Sequence, residues 1–228
     1  MKRLHEFTDA KHMTDDICRR LINTANDCLT SKGSFHLVLA GGNTPRQLYQ
    51  QLAQAPDAQW QGWHIYFGDE RCLPVDDAQR NDSMAKSVWL DHVAIPHRQL
   101  HPIDAELGAR QGAINYDRLL AHSPRFDLVL LGVGEDGHTA SLFPGDSDTP
   151  AGFTYARPVT KSPKPPAERV SMTAERLSLT DRAWFLASGD IKRAVLEAWL
   201  RDEPLPVSLV RPPGGVDIFC DLTLTRQA

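Results

Sequence analysis

Residues 126–145 read FDLVLLGVGEDGHTASLFPG, an apolar run that ends in a glycine-rich stretch carrying two carboxylates, one histidine and two hydroxyls. Glycine loses more backbone entropy on folding than any other residue, so glycines cluster where the chain must bend sharply or let something approach closely. FDLVLL is therefore expected to be a strand, and the turn at its carboxyl end a candidate site.

The same grammar recurs along the chain. FHLVLA (35–40) runs into Gly41-Gly42, after which Pro45 opens RQLYQQL as a helix; WHIYFG (63–68) and AWFLASG (183–189) also end in glycine. Helical spacing separates these runs. Residues 14–30 place Ile17, Leu21, Ile22, Ala25, Cys28 and Leu29 on one face behind Thr14 as expected cap, and helices are expected over 81–92, 105–121 and 190–201. The last is marked by Ile191, Ala194, Val195, Ala198, Trp199 and Leu200. Alternating strands and helices imply an α/β fold, a mainly parallel sheet with helices on both faces. The proline-rich KSPKPPAERV (161–170) reads as a semi-rigid, extended segment. No repeat or low-complexity tract divides the chain, so residues 1–228 are expected to form one domain. In open α/β sheets ligands bind beyond the carboxyl ends of the strands, which is where the glycine turns fall.

Composition narrows the function classes. With 25 Lys+Arg against 29 Asp+Glu the net charge is −4, so no global positive field favours nucleic acid or an anionic membrane, and a bound anion must be held locally. The start MKRLHEFTDAKHM lacks an apolar signal core, and no run approaches the ~18 apolar residues of a membrane span, which makes the cytoplasm the expected location. The four cysteines, Cys18, Cys28, Cys72 and Cys220, lie far apart without a C-x-x-C pair and are expected to be reduced and structural.

Several segments carry candidate chemistry. In LAGGNTPRQLY (39–49), the amides of Gly41, Gly42, Asn43 and Thr44 stand where a helix dipole favours an anion, with Thr44 as expected N-cap. An ordinary strand-to-helix turn explains the same residues equally well, and the segment is neither a Walker loop nor a G-x-G-x-x-G fingerprint. In YFGDERCLP (66–74), Arg71 is a planar cation past a strand end, suited to a carbonyl or phosphate oxygen, although a plain surface turn also accepts such charges. His138 sits in the glycine turn flanked by Asp136, Thr139 and Ser141; Ser141 is not in a G-x-S-x-G elbow, and no H-E-x-x-H or clustered histidines suggest a metal. Arg169 follows the proline run and Lys192 lies in SGDIKR; each alone reads as solvated surface, yet an anion pocket in an acidic chain needs one or two cations and these two are the best placed.

AGGNTP, GDERCLP, GVGEDGHTASLFPG, SPKPPAERVSMT and SGDIKR, in this order over residues 35–195, resemble the 6-phosphogluconolactonases of the pentose phosphate pathway. The resemblance implies a Rossmann-like fold shared with glucosamine-6-phosphate deaminases. It also implies hydrolysis of 6-phospho-D-glucono-1,5-lactone without a cofactor. Three departures stand out: AGGNTP replaces the commoner SGGSTP, Asn81-Asp82-Ser83 stands where Ser-Asn is usual, and the close VDIFCDLTLTRQA falls short of the usual final helix.

On that reading His138 activates water with Asp136 orienting its ring, and Arg71 meets either the developing oxyanion or the phosphate. Gly41 to Thr44, Arg169 and Lys192 hold the 6-phosphate. The expected partner is the small-molecule substrate alone, with no nucleic acid, membrane, metal or cofactor, and a monomer is favoured. Two rivals are an amino-sugar-phosphate isomerase/deaminase of the same fold and a non-catalytic sugar-phosphate sensor. The sensor would need a DNA-binding module, for which the roughly thirty residues before the first glycine-ended strand offer no helix-turn-helix pattern.

Overall fold

The apolar runs become strands because both of their faces find cover. The computed structural model describes residues 1–55, 58–145 and 148–224. Its first half holds β1 (Lys2–Glu6), α1 (Ala10–Lys32), β2 (Phe35–Leu39), α2 (Asn43–Leu52), β3 (Trp63–Phe67), β4 (Asp69–Arg71), α3 (Asn81–Val88), β5 (Leu100–His101) and α4 (Ala109–Ala121). Then follow β6 (Phe126–Gly132), β7 (Ala156–Val159), β8 (Arg169–Met172), α5 (Ala174–Ser178), β9 (Thr180–Ala187), α6 (Arg193–Leu200) and β10 (Val216–Cys220). Seven strands form one parallel sheet in the order β1-β10-β9-β6-β2-β3-β5. Every residue of β2 and β10 is buried, as a sheet covered on both sides requires.

From β2 the chain winds outward through β3 to β5 on one side and through β6 and β9 to β10 on the other. The crevice between the carboxyl ends of β2 and β6 is thus the topological switch point, where open α/β sheets bind ligands. A second, antiparallel sheet of β4, β8 and β7 stands beside it. The chain passes from one sheet to the other at Gly68, whose amide donates to Leu39 O at 2.9 Å while its carbonyl accepts from Met172 N at 2.8 Å.

The structure corrects several local expectations. Helix α1 starts at Ala10, capped by Asp9, whose carboxylate accepts from His12 N at 2.8 Å; Thr14 is not the cap but lies inside the helix, its hydroxyl donating back to Ala10 O. Thr44 is not a cap either, because α2 begins at Asn43 after Gly42. Ile191 lies in a short 3-10 turn and is 65 % exposed, and Ala194 is exposed, so α6 buries Val195, Leu196 and Trp199 instead. The proline run is not an extended strut. It curls so that Ser162 N reaches Ala167 O at 2.9 Å. Of the closing segment, 216–220 pair as β10, and the expectation of a missing helix concerns residues 225–228 as well, which lie outside the described ones.

All four cysteines are free, and burial pushes the Cys18, Cys28 and Cys72 thiols up to about 11, which keeps them unreactive. Among the described residues no helix is long and apolar enough to cross a membrane.

One face of the sheet carries a row of imidazoles. His36 on β2 stacks on His64 of β3 at 4.5 Å, His64 Nδ1 lies 3.4 Å from His101 Nε2 on β5, and Tyr66 OH lies 3.3 Å from His36 Nδ1. Burial, reinforced by the neighbouring ring of His64, holds His36 and His101 down at about 4. A base whose folded pKa is depressed takes up its proton sooner in the unfolded chain, so stability falls as pH drops from ~6.5, the ordinary histidine value, toward the folded pKa. Urea midpoints between pH 7 and 4.5 are expected to show this loss, and His36→Leu together with His101→Leu to flatten it.

Candidate active site

The carboxyl ends of β2, β3 and β6 enclose a cavity of about 210 Å³. It is lined by residues 39–42 and 131–134 together with His138, Asp69, Asn81, Arg71, Lys164, Arg169 and Lys192. The glycine turn after β6 brings His138 back over the strand end, Gly134 N donating to His138 O at 2.8 Å. His138 Nδ1 lies 2.5 Å from Asp136 Oδ1, whose oxygen also accepts from His138 N at 3.2 Å. A Cβ on Gly134 would fall 1.9 Å from His138 Nδ1 and 2.7 Å from Asp136 Oδ1, so only glycine leaves room for this pair. With Nδ1–H donated to the carboxylate, the ring's lone pair sits on Nε2. Burial lowers the imidazole's pKa; Asp136 and Asp69 oppose that effect and Lys164 adds to it, leaving the ring neutral at pH 7.

The small sheet builds the opposite wall. In its register Arg71 on β4 faces Arg169 on β8, and Asp69 faces Ser171. Like charges directly across an antiparallel pair repel. Lys164 and Lys192 add two further cations to the cavity, and Lys192, its pKa lowered by burial, has Glu135 at 3.9 Å. The Arg169 guanidinium donates Nε to Pro166 O at 3.2 Å and Nη2 to Lys164 O and Pro165 O at 3.0 and 3.1 Å, so it shapes the proline loop that presents Lys164. Its Nη1 lies 3.8 Å from Asp69 Oδ2. Arg71 Nη1 donates to Gln79 O, while its buried Nε meets no protein acceptor. Four cations around one carboxylate leave a net positive seat, suited to an anion and hostile to a metal ion. No group of three or more His, Cys, Asp or Glu among the described residues could hold a metal.

Behind this wall Glu70, with no exposed surface, clips β4 to the start of α3. Its Oε1 accepts from Arg71 N and Asn81 N and its Oε2 from Asp82 N, each at 2.8 Å. Burial and the nearby Asp82 raise the Glu70 carboxyl's pKa against the pull of these amides. Asn81 Nδ2 donates to Asp69 O at 2.9 Å and Oδ1 at 3.1 Å, and Gly41 must lack a Cβ because it would sit 2.0 Å from Asn81 Oδ1.

The structure therefore brings together His138, Asp136, Arg71, Gly41, Gly42, Arg169 and Lys192 around one crevice. Asn43 and Thr44 lie in the first turn of α2, beyond the cavity lining, their main-chain amides ahead of the first helical bond from Arg46 N to Gly42 O. Of the undecided trio, Asn81 lines the cavity, whereas Asp82 turns away to a buried pair with Arg80 at 2.9 Å. Sequence reasoning passed over Lys164 and Asp69. The first is visible only as a lysine between prolines, the second only as the neighbour of Arg71 in the same charged triplet.

Residues 8–219 match the family described as glucosamine-6-phosphate isomerases/6-phosphogluconolactonase. The chain is 33 % identical over 211 residues to the 6-phosphogluconolactonase of Mycobacterium leprae, covering 87 % of this chain and 85 % of that one. It is 35 % identical over 215 residues to that of Synechocystis sp., covering 85 % and 88 %. The crystal structure of 6-phosphogluconolactonase from Thermotoga maritima matches with a TM-score of 0.88 and 29 % identity, covering 96 % of this chain and 99 % of that chain. Since the matched residues include every wall of the crevice, the chain belongs to the glucosamine-6-phosphate isomerase/6-phosphogluconolactonase family.

Proposed function

We propose that this protein hydrolyses 6-phospho-D-glucono-1,5-lactone to 6-phosphogluconate, the reaction for which its curated relatives are named. The observation that carries the reading is the pairing, across one crevice, of the His138 imidazole held by the Asp136 carboxylate with a seat of four cations. Nε2 of His138 takes a proton from water as the water oxygen bonds to C1. Arg71 is assigned to the lactone oxygen on which negative charge then develops. When the tetrahedral centre collapses, the bond from C1 to the ring oxygen breaks, and the imidazolium returns its proton to that oxygen. Lys164, Lys192, Nη1 of Arg169 and the amides at the start of α2 hold the phosphate, and this distant binding energy orients the ring. The reading extends to a monomer in the cytoplasm, where four unpaired thiols stay reduced.

The family also contains isomerases, and the same cavity would accept an amino sugar phosphate. The two activities part at the chemistry: deamination needs protons shuttled between C1 and C2. Lactone decay above its spontaneous rate, without ammonia release from glucosamine 6-phosphate, is the expected result; the reverse overturns the proposal.

The assignment of roles fixes what substitution and chelation should do. His138→Asn is expected to fold normally and lose ~10²-fold or more in turnover. Because His138 is lowered, the parent's acid limb lies below the ~6.5 of a free imidazole, with activity lost as pH falls through it, and that limb disappears in the variant after subtraction of uncatalysed hydrolysis. Lys192→Ala is expected to weaken capture of the phosphorylated lactone by ~1.5–3 kcal/mol and to leave unphosphorylated gluconolactone almost unaffected. Arg169→Ala, which also frees three carbonyls of the Lys164 loop, should impair both substrates. Incubation with EDTA is expected to leave the rate unchanged; loss that zinc or magnesium restores would contradict a metal-free mechanism.

A further inference from the structure

Ser141 stands three residues beyond His138 in the same turn and is fully buried. Its hydroxyl donates to Asp69 Oδ2 at 2.6 Å, and its amide donates to Ser171 Oγ at 3.2 Å. Asp69 and Ser171 are opposite one another in the β4–β8 pair. The turn that carries the base is thereby fastened at one residue to the two strands that carry Arg71 and Arg169. Leu142 N donating to Thr139 O at 2.9 Å closes the turn around Ser141, and Gly134 N donating to His138 O at 2.8 Å closes the one before it.

Asp69 is the cavity's only lining carboxylate among the described residues, yet it is arranged as an acceptor. Oδ2 takes the Ser141 hydroxyl and faces Arg169 Nη1, and Oδ1 takes the Asn81 amide. A carboxylate engaged on both oxygens and facing a guanidinium is held in one orientation. Ser141, deep under the cavity with its proton committed to Asp69, cannot serve as a nucleophile without losing that bond.

Resting on the lactonase reading, we propose that Ser141 and Asp69 form a positioning pair. Ser141 fixes the distance between the His138 base and the cationic wall, and Asp69 supplies a stationary negative charge that supports the imidazolium formed when water gives up its proton. The charged groups bearing on His138 are Asp136 from its own turn, Lys164 from the proline loop and Asp69 from β4. Lys192 with Glu135 and Arg169 over the Phe143 ring lie just beyond.

The two halves of the pair carry different signatures. Ser141→Ala keeps the Asp69 charge but releases the turn: kcat is expected to fall ~10-fold or more, as small displacements of reacting groups do, with KM and the acid limb unmoved. Asp69→Asn keeps the shape but removes the charge: kcat falls and the acid limb of kcat/KM moves to lower pH, because His138 loses one of the groups raising its pKa. The double variant should lose less than the product of the two single losses, since the residues act as a unit. Urea midpoints accompany each variant. If Asp69→Asn fails to fold, the Ser141→Ala profile alone decides. Parent-like kcat in Ser141→Ala, an acid limb unmoved in a folded Asp69→Asn, or multiplicative losses would overturn the pairing. A parent protein without lactonase activity would instead overturn the reading on which it rests.

Discussion

Where β2 pairs with β6, Leu37 beside Leu128 and Val38 beside Val129, the chain's two directions of winding part. No crossover helix can cover the carboxyl ends of both strands at that point, so the loops after them splay and leave a crevice. Both loops are glycine turns for a steric reason. Gly41 admits the Asn81 amide and Gly134 admits the His138–Asp136 pair, so substituting either would drive a side-chain atom into one of the groups lining the site. The sheet supplies the place, and the absent Cβ atoms let the chemistry fit within it.

The second sheet supplies what the first cannot. A parallel sheet presents strand ends to its ligand, and these offer main-chain amides and short turns. The antiparallel β4–β8 pair, turned aside at Gly68, presents long cationic side chains laterally. The base thus comes from the first layer, whereas the anion seat draws Arg169 and the Lys164 loop from the second and Lys192 and the amides opening α2 from the first. Their relation in space depends on a few buried contacts, the Ser141–Asp69 hydrogen bond and the Glu70 clip among them.

How much of this was legible in the sequence depended on whether a residue's role was local. β2, β3, β6 and β9 were visible because strands buried on both faces read as continuous apolar runs. β1 and the DER strand β4 were not, since charged residues such as Arg3 and Glu70 find their partners far away, at Asp217 and at the start of α3. The cap of α1 was misread because Asp9 and Thr14 both suit the role in isolation, and only burial decides between them. His138 could be singled out from its turn. Lys164 could not, because its place is set by a guanidinium five residues later that gathers the carbonyls of its loop.

The facing arginines have one more effect. Arg71 and Arg169 lie in register across β4 and β8, and their repulsion is a standing load on the folded chain that the unfolded chain does not bear. An anion lodged between them binds the folded form alone and shifts the unfolding equilibrium by mass action. On the proposed reading of that seat, orthophosphate protects the fold and competes with substrate for the same place, so activity and thermal tolerance trade against each other through a single small ion.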